Sequence, residues 1–275
     1  MLIRAGYEII LGVNVPTAMT AMLKVHPSRV ADLRTPEVVV TSRGLETRDY
    51  VDRFGNVCTR MTLPPGDTVL SCDLVIEDSG EPDAYVPDAV QHHVADLPDD
   101  VLIYLLGSRY CETDRMSGLA WNQFGGIEPG WGRVQAIVEY SHQRLQYGYE
   151  HADATRTAHE GHEHRVGVCR DFAHLAIALC RCMNIPARYC TGYLGDIGVP
   201  PAATDMDFHA WFEAYLGGQW YTFDARHNRP RIGRILMAHG RDATDTALTT
   251  TFGPVWLNGF KVHTDEVATI ELTPA

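Results

Sequence analysis

Lysine is almost missing from this 275-residue chain: only Lys24 and Lys261 occur, and arginine supplies the rest of the 23 basic residues. Against 35 acidic residues they leave a formal net charge of -12. So acidic a chain lacks the basic footprint of a nucleic-acid binder, and no nucleic-acid partner is expected. Long apolar runs are missing too. No stretch approaches the roughly eighteen apolar residues of a membrane span. The apolar start, MLIRAGYEIILGVNVPTAM, has neither a basic run before it nor a small-residue cleavage site after it, so no signal peptide and no membrane association are expected. There is no Pro/Ser/Gly tract, no internal repeat, no D-x-D-x-D-G calcium loop and no H-E-x-x-H motif. No cofactor and no metal are expected. Disulfide staples are unsupported as well: seven cysteines are an odd number in a chain large enough to build a core without them. Reduced thiols and a cytoplasmic location are the expectation.

What is present is a globular composition, 45% apolar and 21% charged. Residues 1–95 read as a β-rich domain. YEIILGV, EVVVTS, TRDYVDRFGNVCTRMTL and DTVLSCDLVIED are short β-prone runs punctuated by Pro, Gly and Asp. In the last of these, Leu70, Cys72, Leu74 and Ile76 share one face and Val69, Ser71, Asp73 and Val75 the other, which suits a sheet packed on one side. RFGN, from Arg53 to Asn56, reads as a tight connection. The stretch EDSGEPDAYVPDAVQHHVADLPDD mixes charge and proline, and the boundary is placed within it. Residues 96–275 then read as a second domain, helical at first. Val134, Ile137, Val138 and Leu145 lie near one helical stripe, and Phe172, Leu175, Ala176, Leu179, Cys182 and Met183 form a broad apolar face. The second helix is predicted to end at NIP, because the residue before Pro186 is pushed to extended geometry. The polar, non-periodic EHADATRTAHEGHEH between them reads as a solvated approach loop. His159, His162 and His164 in it could at most capture zinc weakly, since no regular element sets tetrahedral geometry.

Two segments carry candidate chemistry. In GVCRDF, Cys169 falls at the N-terminal end of its helix, where unpaired N–H groups and the positive helix end favour a thiolate and can donate to an oxyanion. In DFHAWFEAYLGGQWYTFDA, a two-residue turn at Gly217-Gly218 sets Leu216 against Gln219 and Phe212 against Phe223. One side of this hairpin is apolar, and the other carries His209, Trp211, Glu213, Trp220, Thr222 and Asp224. In that register Asp224 is diagonal to His209, close enough for a hydrogen bond. A thiol nucleophile, an imidazole base and an orienting carboxylate would suit acyl transfer. Trp211 and Trp220 are expected to wall the substrate pocket. Each residue alone also has a plain reading: a packing cysteine, a half-buried histidine, a turn-capping aspartate. Asp171 is read as a cap of the helix that Cys169 opens, Arg241 as paired with an aspartate of GRDATD, Asp242 or Asp245, and His174 as facing the wrong way to be the base.

The segment GVCRDFAHLAIALCRCMNIPARYCTGYL, with DFHAWFEAYLGGQWYTFDA and GRDATD after it, resembles the bacterial branch of the transglutaminase-like superfamily. DRFGN and GSRYCETD resemble that branch too, and the similarity runs from about residue 5 to 265. It implies an α+β fold with a papain-like, transglutaminase-like cysteine core behind an N-terminal antiparallel β domain. It also implies a triad of Cys169 as nucleophile, His209 as base and Asp224 as orienting acid. The activity implied is acyl transfer or hydrolysis at amide bonds through a thioester on Cys169, as in a cysteine peptidase, an amidase or a transglutaminase. The partners would be a peptide or protein amide and an amine or water as acceptor. The alternative is a peptide-binding protein that keeps the fold without turnover. The histidine-rich stretch and Arg170, where glutamine is frequent, depart from the family pattern.

Overall fold

The structure, a computed structural model, describes residues 1–201 and 206–268. Six strands come first: β1 (Leu2–Val13), β2 (Thr17–Ala21), β3 (Val40–Thr41), β4 (Arg48–Val51), β5 (Val57–Leu63) and β6 (Gly66–Glu77). The middle of the chain holds α1 (Thr113–Phe124), α2 (Trp131–Arg144), β7 (Gln146–Tyr147), α3 (Ala158–His164), β8 (Val166–Gly167) and α4 (Cys169–Cys182). Strands β9 (Ala187–Tyr193), β10 (His209–Leu216), β11 (Gln219–Phe223), β12 (Ile235–Gly240), β13 (Thr249–Thr251) and β14 (Trp256–Val267) follow.

Three antiparallel four-stranded sheets result, in the orders β14-β1-β6-β3, β13-β2-β5-β4 and β11-β10-β9-β12. The alternation read in β6 is kept: Leu70, Cys72, Leu74 and Ile76 are buried opposite Ile9, Tyr7, Ala5 and Ile3 of β1. Strands β13 and β14 add to the first two sheets, so these draw outer strands from residues 249–267, beyond the division expected near residue 95. One apolar core lies between these sheets and takes in Tyr193, Phe208, Ile235 and Met237 from the region of the third. A second core packs α1, α2 and α4 against Ala210, Phe212, Ala214 and Leu216 of β10.

Helix α4 is the buried centre of that second core. Every side chain from Asp171 to Cys182 is inside, a wider burial than the one apolar face the sequence implied. A helix apolar nearly all round can be enclosed on every side, and its three polar exceptions have partners: Asp171 accepts the Val168 N–H at its start. Arg181 donates to the carbonyls of Ala187 and Leu106, and His174 Nε2 accepts the Ala243 N–H at 3.2 Å. The helix ends where expected, with Asn184 left-handed at φ 61° before Pro186.

The stretch before it differs from expectation. Residues 158–164 form α3 instead of an irregular loop, because Thr157 and Glu160 cap each other's backbone N–H groups. His162 is buried rather than solvated, and its Nε2 meets the Tyr140 hydroxyl at 2.9 Å.

Candidate active site

Cys169 is the first residue of α4. Asp171, two residues on, reaches back to accept the Val168 N–H at 2.8 Å, the cap anticipated for this helix. Gly167 makes room for it, since a Cβ there would lie 2.6 Å from the Asp171 Cβ. The cysteine is half-buried and opens on a cavity of about 550 Å³ that His209, Asp207, His227, Tyr147 and Tyr149 also line.

His209 opens β10, whose register with β11 is the anticipated one: Leu216 opposite Gln219, Phe212 opposite Phe223. Gly217 and Gly218 turn the corner at φ 58° and 88°, which side chains rarely allow. Asp224 follows β11 directly, and its Oδ2 lies 2.8 Å from His209 Nε2. The carboxylate is buried and fully engaged. Oδ1 accepts the His227 N–H at 3.0 Å, and Oδ2 also accepts Arg234 Nη2 at 2.9 Å. Arg234 in turn donates from Nε to both oxygens of Asp83, each at 2.9 Å. Asp83 is tied to the Arg231 backbone twice, its Oδ2 accepting the Arg231 N–H and its own N–H donating to the Arg231 carbonyl.

Burial opposes charge on Asp224, but the His209 and Arg234 charges hold its carboxyl well below the usual range. Cys169 goes the other way. Burial pushes its thiol up to about 12, and Asp207 and Asp224 add to this against the N–H groups of Ala210 and Arg170. A thiol lowered by its helix end was expected; enclosure of that end beneath β10 outweighs the helix field. The sulfur therefore needs a proton acceptor beside it. Burial also drives His227 down to about 3, keeping it neutral despite Asp224.

The two tryptophans do not line this cavity. Trp211 sits under Arg234, against a separate cavity of about 330 Å³ with Arg188 and Glu213. Trp220 is held by Tyr104, Tyr215 and the Arg188 guanidinium. Trp211 does stack on the His209 ring, with centroids 6.4 Å apart, but each second residue moves about 7 Å along the strand, and neither indole reaches the cavity. Nor do the histidines of α3 gather. Among the described residues, His209, Asp224 and His227 do bring ligand atoms within 4.8 Å of one another. With Asp224 Oδ2 shared by His209 and Arg234, and Arg231 against the His227 ring, that trio is a hydrogen-bonded set beside two cations and a poor seat for another. The Arg-Asp pair expected in GRDATD is Arg241 with Asp245, at 2.8 and 3.0 Å.

Sequence reasoning missed Asp83, Asp207, His227 and Arg234. The available signal was the run RHNRPRIGR after Asp224, which sets four arginines, 226, 229, 231 and 234, next to the buried carboxylate.

The fold and cavity define a cysteine-bearing α+β protein of papain-like type, and comparison with known proteins agrees. Residues 118–225 match the transglutaminase-like superfamily, a span that includes Cys169, His209 and Asp224. A solved structure from Cytophaga hutchinsonii, called "a Putative Cysteine Protease", is 31% identical with a TM-score of 0.82, over 98% of this chain and 91% of that one. An uncharacterized protein of Mycobacterium leprae is 39% identical over 84 residues, a match spanning 30% of each chain. The chain belongs to the transglutaminase-like superfamily.

Proposed function

We propose that this protein is a thiol-dependent enzyme that breaks or exchanges amide bonds through a thioester on Cys169. The observation that carries the reading is the His209–Asp224 hydrogen bond of 2.8 Å, at the wall of the cavity onto which Cys169 opens. In this reading His209 takes the thiol proton as Sγ attacks the substrate carbonyl carbon. The carbonyl electrons move to oxygen, next to the N-terminal N–H groups of α4. They return as the C–N bond breaks, and the imidazolium gives its proton to the departing amine. Water or a primary amine, deprotonated by the same imidazole, then attacks the thioester and frees the thiol. Asp224 keeps the imidazole oriented and stabilises its charged form.

The cavity walls bear on the substrate. Among the described residues, Asp207, Asp265 and Glu266 face it along with one arginine, Arg226, while Asp196 is paired with Arg231 at 3.6 Å. This balance favours neutral or cationic groups beside the scissile bond and disfavours acidic ones.

Peptide-amide and glutamine-amide donors, incubated with and without a primary amine and read by mass spectrometry, test the proposal. Product masses are expected to report hydrolysis or amine exchange with the native chain. Cys169→Ala is expected to lose at least 10³-fold of the rate with little change in thermal stability. Full activity in that variant would end the thiol reading.

A further inference from the structure

Asp224 Oδ2 has two claimants. His209 Nε2 approaches it at 2.8 Å and Arg234 Nη2 at 2.9 Å, with both side chains largely enclosed. We propose that Arg234 and Asp83 are positioning residues of this centre: they fix the Asp224 carboxylate and set how much of its negative charge His209 feels. This rests on the reading of Cys169 and His209 given above.

The argument is one of charge and place. A carboxylate bound by imidazole alone gives its full field to the imidazolium. A guanidinium on the same oxygen cancels much of that field, and in an enclosed site the cancellation is felt strongly. Arg234 does not act alone, because Asp83 grips its Nε with two oxygens at 2.9 Å. The row Asp83, Arg234, Asp224 therefore carries one net negative charge toward His209. Asp83 comes from the connection after β6 and is fastened to the Arg231 backbone, so the alignment depends on two segments far apart in sequence. Other charges stay fixed when this row is changed. Cys169, Asp207, Arg226, Asp265 and Glu266 line the same cavity as His209, the His227 ring lies 4.9 Å from the imidazole, and Arg231 stands against His227; none of them belongs to the row that is changed.

Two variants shift the balance in opposite senses. Asp83→Asn removes one negative charge and leaves Arg234 to neutralise Asp224, so the imidazolium loses support. Asp83→Asn combined with Arg234→Met leaves Asp224 to His209 alone, so the imidazolium gains it. The readout is acylation of the protein by p-nitrophenyl acetate, followed by nitrophenolate release across pH, with Cys169→Ala as the control. The acid limb of the rate is expected to fall by about one pH unit in the single variant and to return to or above the parent's position in the double variant. A merely structural role would lower rate and melting temperature together and leave the limb in place. An unmoved limb in both folded variants overturns the proposal. Should either fail to fold, Arg234→Lys keeps the charge and changes only the geometry: an unshifted limb with a reduced maximum rate is expected, and a shifted limb counts against the charge row. Retained nitrophenolate release in Cys169→Ala would instead sink the underlying reading of the site, whatever the limb does.

Discussion

Cys169 sits where two influences disagree. Its helix end favours a thiolate, while enclosure beneath β10 favours the thiol and wins. The consequence belongs to His209: without an imidazole to accept its proton, the sulfur should react slowly. In His209→Ala, alkylation of Cys169 by iodoacetamide at pH 7, followed by peptide mass mapping, is expected to slow at least tenfold. Equal rates in the two proteins would remove His209 from the role of base. At this scale the sequence was most legible where residue types are chemically unusual for their setting. A cysteine beginning a helix and a histidine and an aspartate on one hairpin face could be picked out before any coordinates. Asp83 could not, since nothing near it in the sequence names its partner, and Arg234 is one of four arginines after Asp224 among which the sequence does not choose.

Among the elements, the β10–β11 hairpin followed its sequence because Gly217-Gly218 permits one tight turn and alternation fixes the rest. Helix α3 did not. Its residues show no apolar period, and it forms because Thr157 and Glu160 satisfy open N–H groups at its start. Thr157→Ala should then cost about 1 kcal/mol, seen as a lower urea midpoint with an unchanged slope. A midpoint equal to the parent's would mean that burial of Ala158, Gly161 and His162 holds the helix without its cap. The capping pattern T-x-x-E was visible in the sequence, but the apolar run that should accompany it is absent.

The whole molecule encloses several ionisable groups, and their sum sets its response to acid. Burial lowers His26, His162 and His174, and takes His227 and His239 down to about 3. Each holds a proton less readily in the fold than in the unfolded chain, where it binds one near pH 6.5. Its contribution is therefore whole above that pH and is lost progressively as pH falls toward the folded value. Glu37, raised by burial to about 7, opposes this in the same range, and burial raises Asp83, Asp171 and Asp207 in the same sense. Denaturant titrations between pH 6.5 and 5 are expected to show stability falling with pH, by up to about 1.4 kcal/mol per unit for each fully titrating histidine. A flat profile would mean that these rings keep water in the fold. By itself the sequence determined the helix that Cys169 opens, the hairpin register, the α+β class and the family, because each follows from local periodicity, turn chemistry or motif. Only the tertiary structure decided that β14 runs back along β1, that the tryptophans stand away from the cavity, and that Arg234 ties Asp83 to Asp224. Those depend on which distant surfaces meet, and a charge enclosed in a protein takes its partner from whatever the fold brings within reach.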